Sequence, residues 1–189
     1  MPDTSTAVAA RFVQMPHTAA LATVADVAEE EFQSGRSGVP SIEFHLWHIA
    51  RWADLLQARL SAMTPQMTLR LGERQQIWGA GGYAENWGFT PDKLGYEATG
   101  MRMPDDEAVD LPFPAREILM EYVRLAFDAA NRAADAVDDE QSALTGIDLY
   151  GREDTVCSAV LGHLIHASRH LGMIEALKGL HGMRGTATV

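Results

Sequence analysis

At 189 residues, 47% of them apolar, the chain is long enough for one domain with a full hydrophobic core, spanning residues 1–189, and too apolar to be disordered. A formal net charge of −11 argues against non-specific nucleic-acid binding, which needs a positive surface to displace counterions. The single cysteine, Cys157, excludes an internal disulfide and any cysteine-based metal cluster, and its expected role is that of a small buried hydrophobe.

No apolar run reaches the roughly 18–20 residues of a membrane helix, so no membrane association is expected. Residues 1–5 carry no basic stretch leading into an apolar one, so a cytoplasmic location is expected. Residues 4–34 read as helical, with Val8, Phe12, Met15, Leu21, Val24 and Ala28 at apolar positions and a kink or break at Pro16. Glu29, Glu30 and Glu31 read as a solvated face. A turn follows at 35–40, rich in glycine and ending in Pro40.

Ser41 is placed as the N-cap of a second helix reaching about residue 63. Its stripe of Ile42, Leu46, Ile49, Ala53, Leu56 and Leu60 fits a period of 3.6. His45, His48 and Trp52 lie along one edge of that stripe. Arg51 and Asp54 point elsewhere, and a surface position is expected for both.

From 64 to 114 the periodicity dissolves. A short helix is expected over 73–78, and Thr90 is placed to cap another. A segment of this length inside one domain often covers a functional site. Its aromatics Trp78, Tyr83, Trp87, Phe89 and Tyr96 either line a pocket or seal one end of the fold, and sealing is the expectation. The glycines at 79, 81 and 82 lack the Gly-Lys-Ser/Thr ending of a phosphate loop.

A third long helix is expected over 115–137, with Ile118, Tyr122, Leu125, Ala126, Ala129 and Ala133 as its stripe. Alanine there permits close helix approach. Asp138, Asp139 and Glu140 read as a solvated acidic end. A turn at 150–154 leads into a last helix over 155–180, and 182–189 reads as a tail. Strands and internal repeats are not expected. Four long helices with a long irregular insertion between the second and third give an all-α bundle.

The last helix carries the densest chemistry. Three of seven histidines, His163, His166 and His170, fall at spacings of three and four, which puts them on one narrow face. That face continues into Ile174 and Leu177, so it points into the fold. His166 and His170 form an i, i+4 pair able to hold one ion from a single helix. A third ligand must come from elsewhere: His48 is the first candidate and His45 the reserve. Three neutral imidazoles would leave positions open, as catalytic sites do. Nitrogen ligands suit a divalent ion of Zn, Ni, Fe, Co or Cu without selecting among them. His163 and His45 are expected to orient ligands or substrate. His17 and His181 fall outside the pattern and receive no role.

At these residues the chain resembles the DinB-like superfamily. The stretches 41–51 (SIEFHLWHIAR) and 166–172 (HASRHLG) carry the resemblance. His48 matches the single histidine of the second helix, His166 and His170 the paired histidines of the last, and Gly172 the glycine after them. Leu171 departs from the pattern, where many members have arginine, and so does the long insertion. The resemblance implies an up-down-down-up four-helix bundle with a three-histidine metal site. It also implies metal-dependent chemistry on small molecules, including S-transfer with low-molecular-weight thiols. Thiol S-transferase or hydrolase activity is therefore the first expectation, and a non-catalytic metal- or ligand-binding bundle the second. Tyr150 is a candidate for substrate contact. Glu43, about 140° from His48 around their helix, is not expected to act as the base. A homodimer is expected from spare apolar surface.

Overall fold

The computed structural model describes residues 5–35, 38–148 and 150–185. Val8's side chain, part of the expected turn at 35–40, and tail residues 186–189 lie outside what is described. Among the described residues the structure is mostly helical: α1 (Ser5–Val24), α2 (Glu29–Gln33), α3 (Ile42–Ala62), α4 (Pro65–Leu71), α5 (Ile77–Ala80), α6 (Tyr83–Asn86), α7 (Asp105–Val109), α8 (Arg116–Asp135), α9 (Asp139–Ser142) and α10 (Val156–Leu180). The long helices α1 and α3 each pack against both α8 and α10. No described helix is long and apolar enough to cross a membrane.

Helix α1 runs through Pro16 without a break, which removes the break from the expected kink or break, and it stops at Val24 rather than continuing into α2. Two cations sit at its C-terminal end. Arg116 donates to the carbonyls of Val24 and Val27, each at 2.5 Å, and Lys178 donates to that of Thr23 at 2.7 Å. Positive side chains at a helix C-terminus satisfy both the orphan carbonyls and the dipole.

Helix α3 is the centre of the molecule. The Ser41 hydroxyl caps it by accepting from Phe44 N at 3.1 Å, as its sequence position foretells. Nearly all of its length is buried, because the 64–114 insertion wraps the face that α8 and α10 leave open. That wrapping overturns the surface positions expected for Arg51 and Asp54, which are 1% and 0% exposed. The two form an ion pair at 2.9 Å, and the insertion supplies most of their remaining partners. Asp54 accepts from Ile77 N and Trp78 N at 2.8 Å, and from Gln57 and Tyr122 at 3.2 Å. Arg51 donates to the carbonyls of Ala98 (2.9 Å) and Glu97 (3.0 Å) and to Gln76 Oε1 (2.7 Å). A buried pair this well supplied with hydrogen bonds is tolerated, and breaking it leaves an uncompensated charge.

The insertion's aromatics mostly seal. Trp78, Trp87 and Phe89 are buried and pack edge-on among Trp47, Tyr83 and Tyr122 at centroid distances of 5.3–5.9 Å. Helix α5 begins at Ile77, four residues later than the expected short helix. Thr90 precedes a 3-10 turn at Pro91–Lys93 but makes no side-chain cap.

On α8 the buried face includes Leu119, Tyr122, Val123, Ala126, Ala130 and Ala133. Of the expected stripe, Tyr122, Ala126, Ala129 and Ala133 are buried, whereas Ile118 and Leu125 are about half exposed. The acidic run at its end is partly a cap. Asp138 accepts from Glu140 N and Gln141 N, and the Gln141 side chain answers Asp138 N. A two-stranded antiparallel hairpin, β1 (Thr145–Ile147) and β2 (Glu153–Thr155), was not expected; Thr145 pairs with Thr155. Asp148 organises its turn by accepting from Tyr150 N (2.8 Å) and Arg152 N (2.7 Å). Thr155 then caps α10 by accepting from Ser158 N at 3.1 Å. Cys157, expected to be buried, is only half-buried.

Candidate metal centre

Helix α3 presents His45 and His48 about one turn apart. Helix α10 presents His163, His166 and His170 on one face. Their packing brings His48, His166 and His170 together, with one ring nitrogen from each lying within 4.8 Å of the others. Nitrogens sharing an ion about 2.0–2.1 Å away sit roughly 3–4 Å apart, so small side-chain adjustments suffice.

The protonation pattern fits a cation. His48 Nδ1 lies 2.5 Å from the carbonyl of Thr99. A carbonyl only accepts, so Nδ1 carries the hydrogen and Nε2 is a bare lone pair. That lone pair faces His166 Nε2 at 3.0 Å. If His166 carries its hydrogen on Nε2, its Nδ1 is left bare, buried and without a protein partner. If it carries the hydrogen on Nδ1, two lone pairs face each other, an arrangement a cation resolves. A hydrogen bond from the other ring nitrogen commonly fixes the tautomer of a ligating imidazole. The Nδ1 atoms of His45 and His170 lie 3.1 Å apart, which places His45 to orient the His170 ring.

Burial keeps these rings neutral. His48, His166 and His170 are each pushed down to about 3, chiefly by burial and then by a neighbouring imidazole. Burial also lowers His45 to about 4, against a small opposing pull from Asp105.

Backbone closes over His48. The loop residues Glu97 and Ala98 hold positive φ of 50° and 51°, and Gly100 has φ +84°. A Cβ at Gly100 would stand 2.9 Å from the Trp47 ring and 3.2 Å from His48 Nδ1. Only glycine relieves both constraints.

The three histidines line a cavity of about 620 Å³. Trp52, Tyr150 and Phe44 share its wall. From the insertion, residues 100–103 reach it, while the Trp78 cluster seals elsewhere. Tyr150, a candidate for substrate contact, packs its ring on Trp52 at 5.3 Å. Glu43 is buried but is not on the cavity wall; burial and the charge of Glu29 raise it to about 8.

His163 does not join the three. Its Nε2 lies 2.8 Å from Nε2 of His17, a residue the sequence left without a role. His17 in turn bonds Asn131 Oδ1 at 2.8 Å and stacks on Phe127 at 4.1 Å. His17 therefore has a structural role, tying α1 to α8 and α10. The Thr99 carbonyl and the Arg51 tie were equally hidden from the sequence.

Fold and site together define a helical protein with a part-buried three-histidine centre open to a cavity, competent to hold a metal ion. The chain belongs to the DinB superfamily, whose family description it matches over residues 11–174. It is similar in structure to a conserved protein of locus from Enterococcus faecalis, with a TM-score of 0.74 and 17% identity over 94% of this chain and 97% of that one. At that identity the likeness concerns the fold. No curated protein matches the chain.

Proposed function

We propose that the chain is a metal-dependent enzyme acting on a small molecule, with His48, His166 and His170 as ligands of a divalent ion (Zn, Ni, Fe, Co or Cu). Thiol S-transfer or hydrolysis is the chemistry assigned. The carrying observation is that three neutral imidazoles converge on the wall of a cavity of about 620 Å³ instead of being sealed in the core. An ion held there would supply Lewis acidity to a thiol or water in an open position. The remaining work falls to the chain. Thr99 and His45 orient the imidazoles, Phe44 and Trp52 keep water from one wall, and the Tyr150 hydroxyl contacts substrate.

The arrangement we assign to α1, α3, α8 and α10 is the up-down-down-up bundle, supported by their mutual packing. We extend the reading to a cytoplasmic homodimer. Exposed Leu161 and Ile165, one turn apart on α10, support the pairing.

The test is metal content of tag-free protein, wild type against His166→Ala, followed by turnover with low-molecular-weight thiols and electrophiles or with esters. Near-stoichiometric metal lost in the variant supports the centre, and equal near-zero content in both rejects it. Bound metal with no turnover would instead favour a non-catalytic metal- or ligand-binding bundle.

A further inference from the structure

The cavity beside the three histidines has two chemical halves. Phe44, Trp52, Met173 and Leu177 give it apolar walls. Arg102 and Arg169 give it two guanidinium groups, both on exposed residues. Among the described residues neither arginine has a hydrogen-bond or ion-pair partner, whereas Arg51, Arg59, Arg116 and Arg152 are all engaged.

The contrast with the rest of the chain is one of sign. The protein carries −11 overall, yet the cavity wall holds two arginines against one aspartate, Asp105. Asp105 acts on His45, while Arg169 acts on His166, His170 and Tyr150. An anion entering on the α10 side meets Arg169. A planar guanidinium fork matches a carboxylate in geometry as well as in charge. At about 620 Å³ the space lies in the roughly 300–1,000 Å³ range of small-molecule sites.

We infer that this cavity takes a small molecule with an apolar body and a carboxylate, the body lying against Phe44, Trp52 and Leu177 and the carboxylate held by Arg169 with Arg102. The inference rests on reading the cavity as the substrate site, and it names the substrate class that site selects.

Octanoate and its neutral isostere octanamide are the probes, titrated calorimetrically into metal-loaded and chelator-treated protein. Wild type binds octanoate about tenfold or more tightly than octanamide in both forms. Arg169→Gln with Arg102→Gln removes that preference, leaves octanamide affinity unchanged and leaves metal content unchanged. Both side chains are exposed, so the variants fold. No preference in wild type overturns the inference, as does a preference that survives both substitutions. A preference that disappears with the metal also overturns it, since the carboxylate would then be ligating the ion. Wild type that binds no metal yet prefers octanoate through the arginines would reject the metal centre and keep the anion subsite.

Discussion

His48 donates its Nδ1 hydrogen to the backbone carbonyl of Thr99 at 2.5 Å, joining α3 to the insertion. Arg51, less than one turn further along α3, holds the carbonyls of Glu97 and Ala98. One helix thus carries both an imidazole of the centre and the clamp that positions the carbonyl orienting it.

Arg51→Lys should expose that coupling. Lysine keeps the charge near Asp54 but cannot reproduce the guanidinium fork that reaches Ala98, Glu97 and Gln76 together. The expected outcome is a loss of roughly 2–4 kcal/mol in stability and a fall of about 10–100-fold in metal affinity. Denaturant melts and chelator competition measure the two separately. Unchanged affinity in the folded variant would show that Thr99 holds its place without the clamp.

His163→Leu distinguishes the two histidine clusters. The substitution leaves His17 Nε2 without a partner, which costs about 1–3 kcal/mol. Metal content of the folded variant should equal that of wild type, because His163 faces His17 rather than the trio. His170→Ala should lose the metal. Atomic absorption on both proteins checks the pair of outcomes.

Metal-free protein should lose stability on acidification. His17 and His163 have folded values below the ordinary 6.5, His17 at about 4, both chiefly through burial. Between those values the unfolded chain binds more protons, so stability rises with pH. Their contribution is fully present above pH 6.5 and is lost as pH falls toward 4. His17 alone accounts for about 1 kcal/mol per pH unit in that window. Thermal melts of the Glu43→Gln protein, which removes the opposing slope of that carboxyl, at pH 7.0, 6.0 and 5.0 in chelator report it, and a flat profile would place these rings in water.

Glu43 predicts the opposite slope. Its carboxyl is buried with Oε1 unpartnered, and burial is the main reason its value rises from 4.5 to about 8. The folded state then binds the extra proton, so this contribution is present below pH 4.5 and is lost as pH rises through 8. Glu43→Gln should leave stability nearly unchanged at pH 5 and raise it by more than about 1 kcal/mol at pH 8. Equal shifts at both pH values would count against a buried, protonated Glu43.

Much of the frame was legible because it is written locally. The 3.6 periodicity of α3 and α10 and the Ser41 cap identify those helices from short-range signals. The i, i+4 spacing places His166 and His170 together. The edge of the α3 stripe put His48 ahead of His45 as the third ligand, and the family resemblance then matched His48 to a ligand position. The misreadings share one cause. Arg51 and Asp54 look like surface residues until the insertion covers them, and no periodicity within α3 reports what a segment twenty to fifty residues later will do. His17 received no role because its partners, Asn131 and His163, lie more than a hundred residues away. The hairpin at 145–155 is too short to show alternation, and its turn depends on the side chain of Asp148.

Gly100 carries a consequence for the lineage of such chains. A side chain there would meet both Trp47 and His48, so the insertion is free to drift in length and composition only up to that point. Sequences that keep His48 together with this overlying loop should retain a glycine at the loop's crest even where the cavity has been refitted for a different ligand. A histidine on the second long helix paired with a downstream glycine thus offers a search pattern for chains that share this centre's backbone roof.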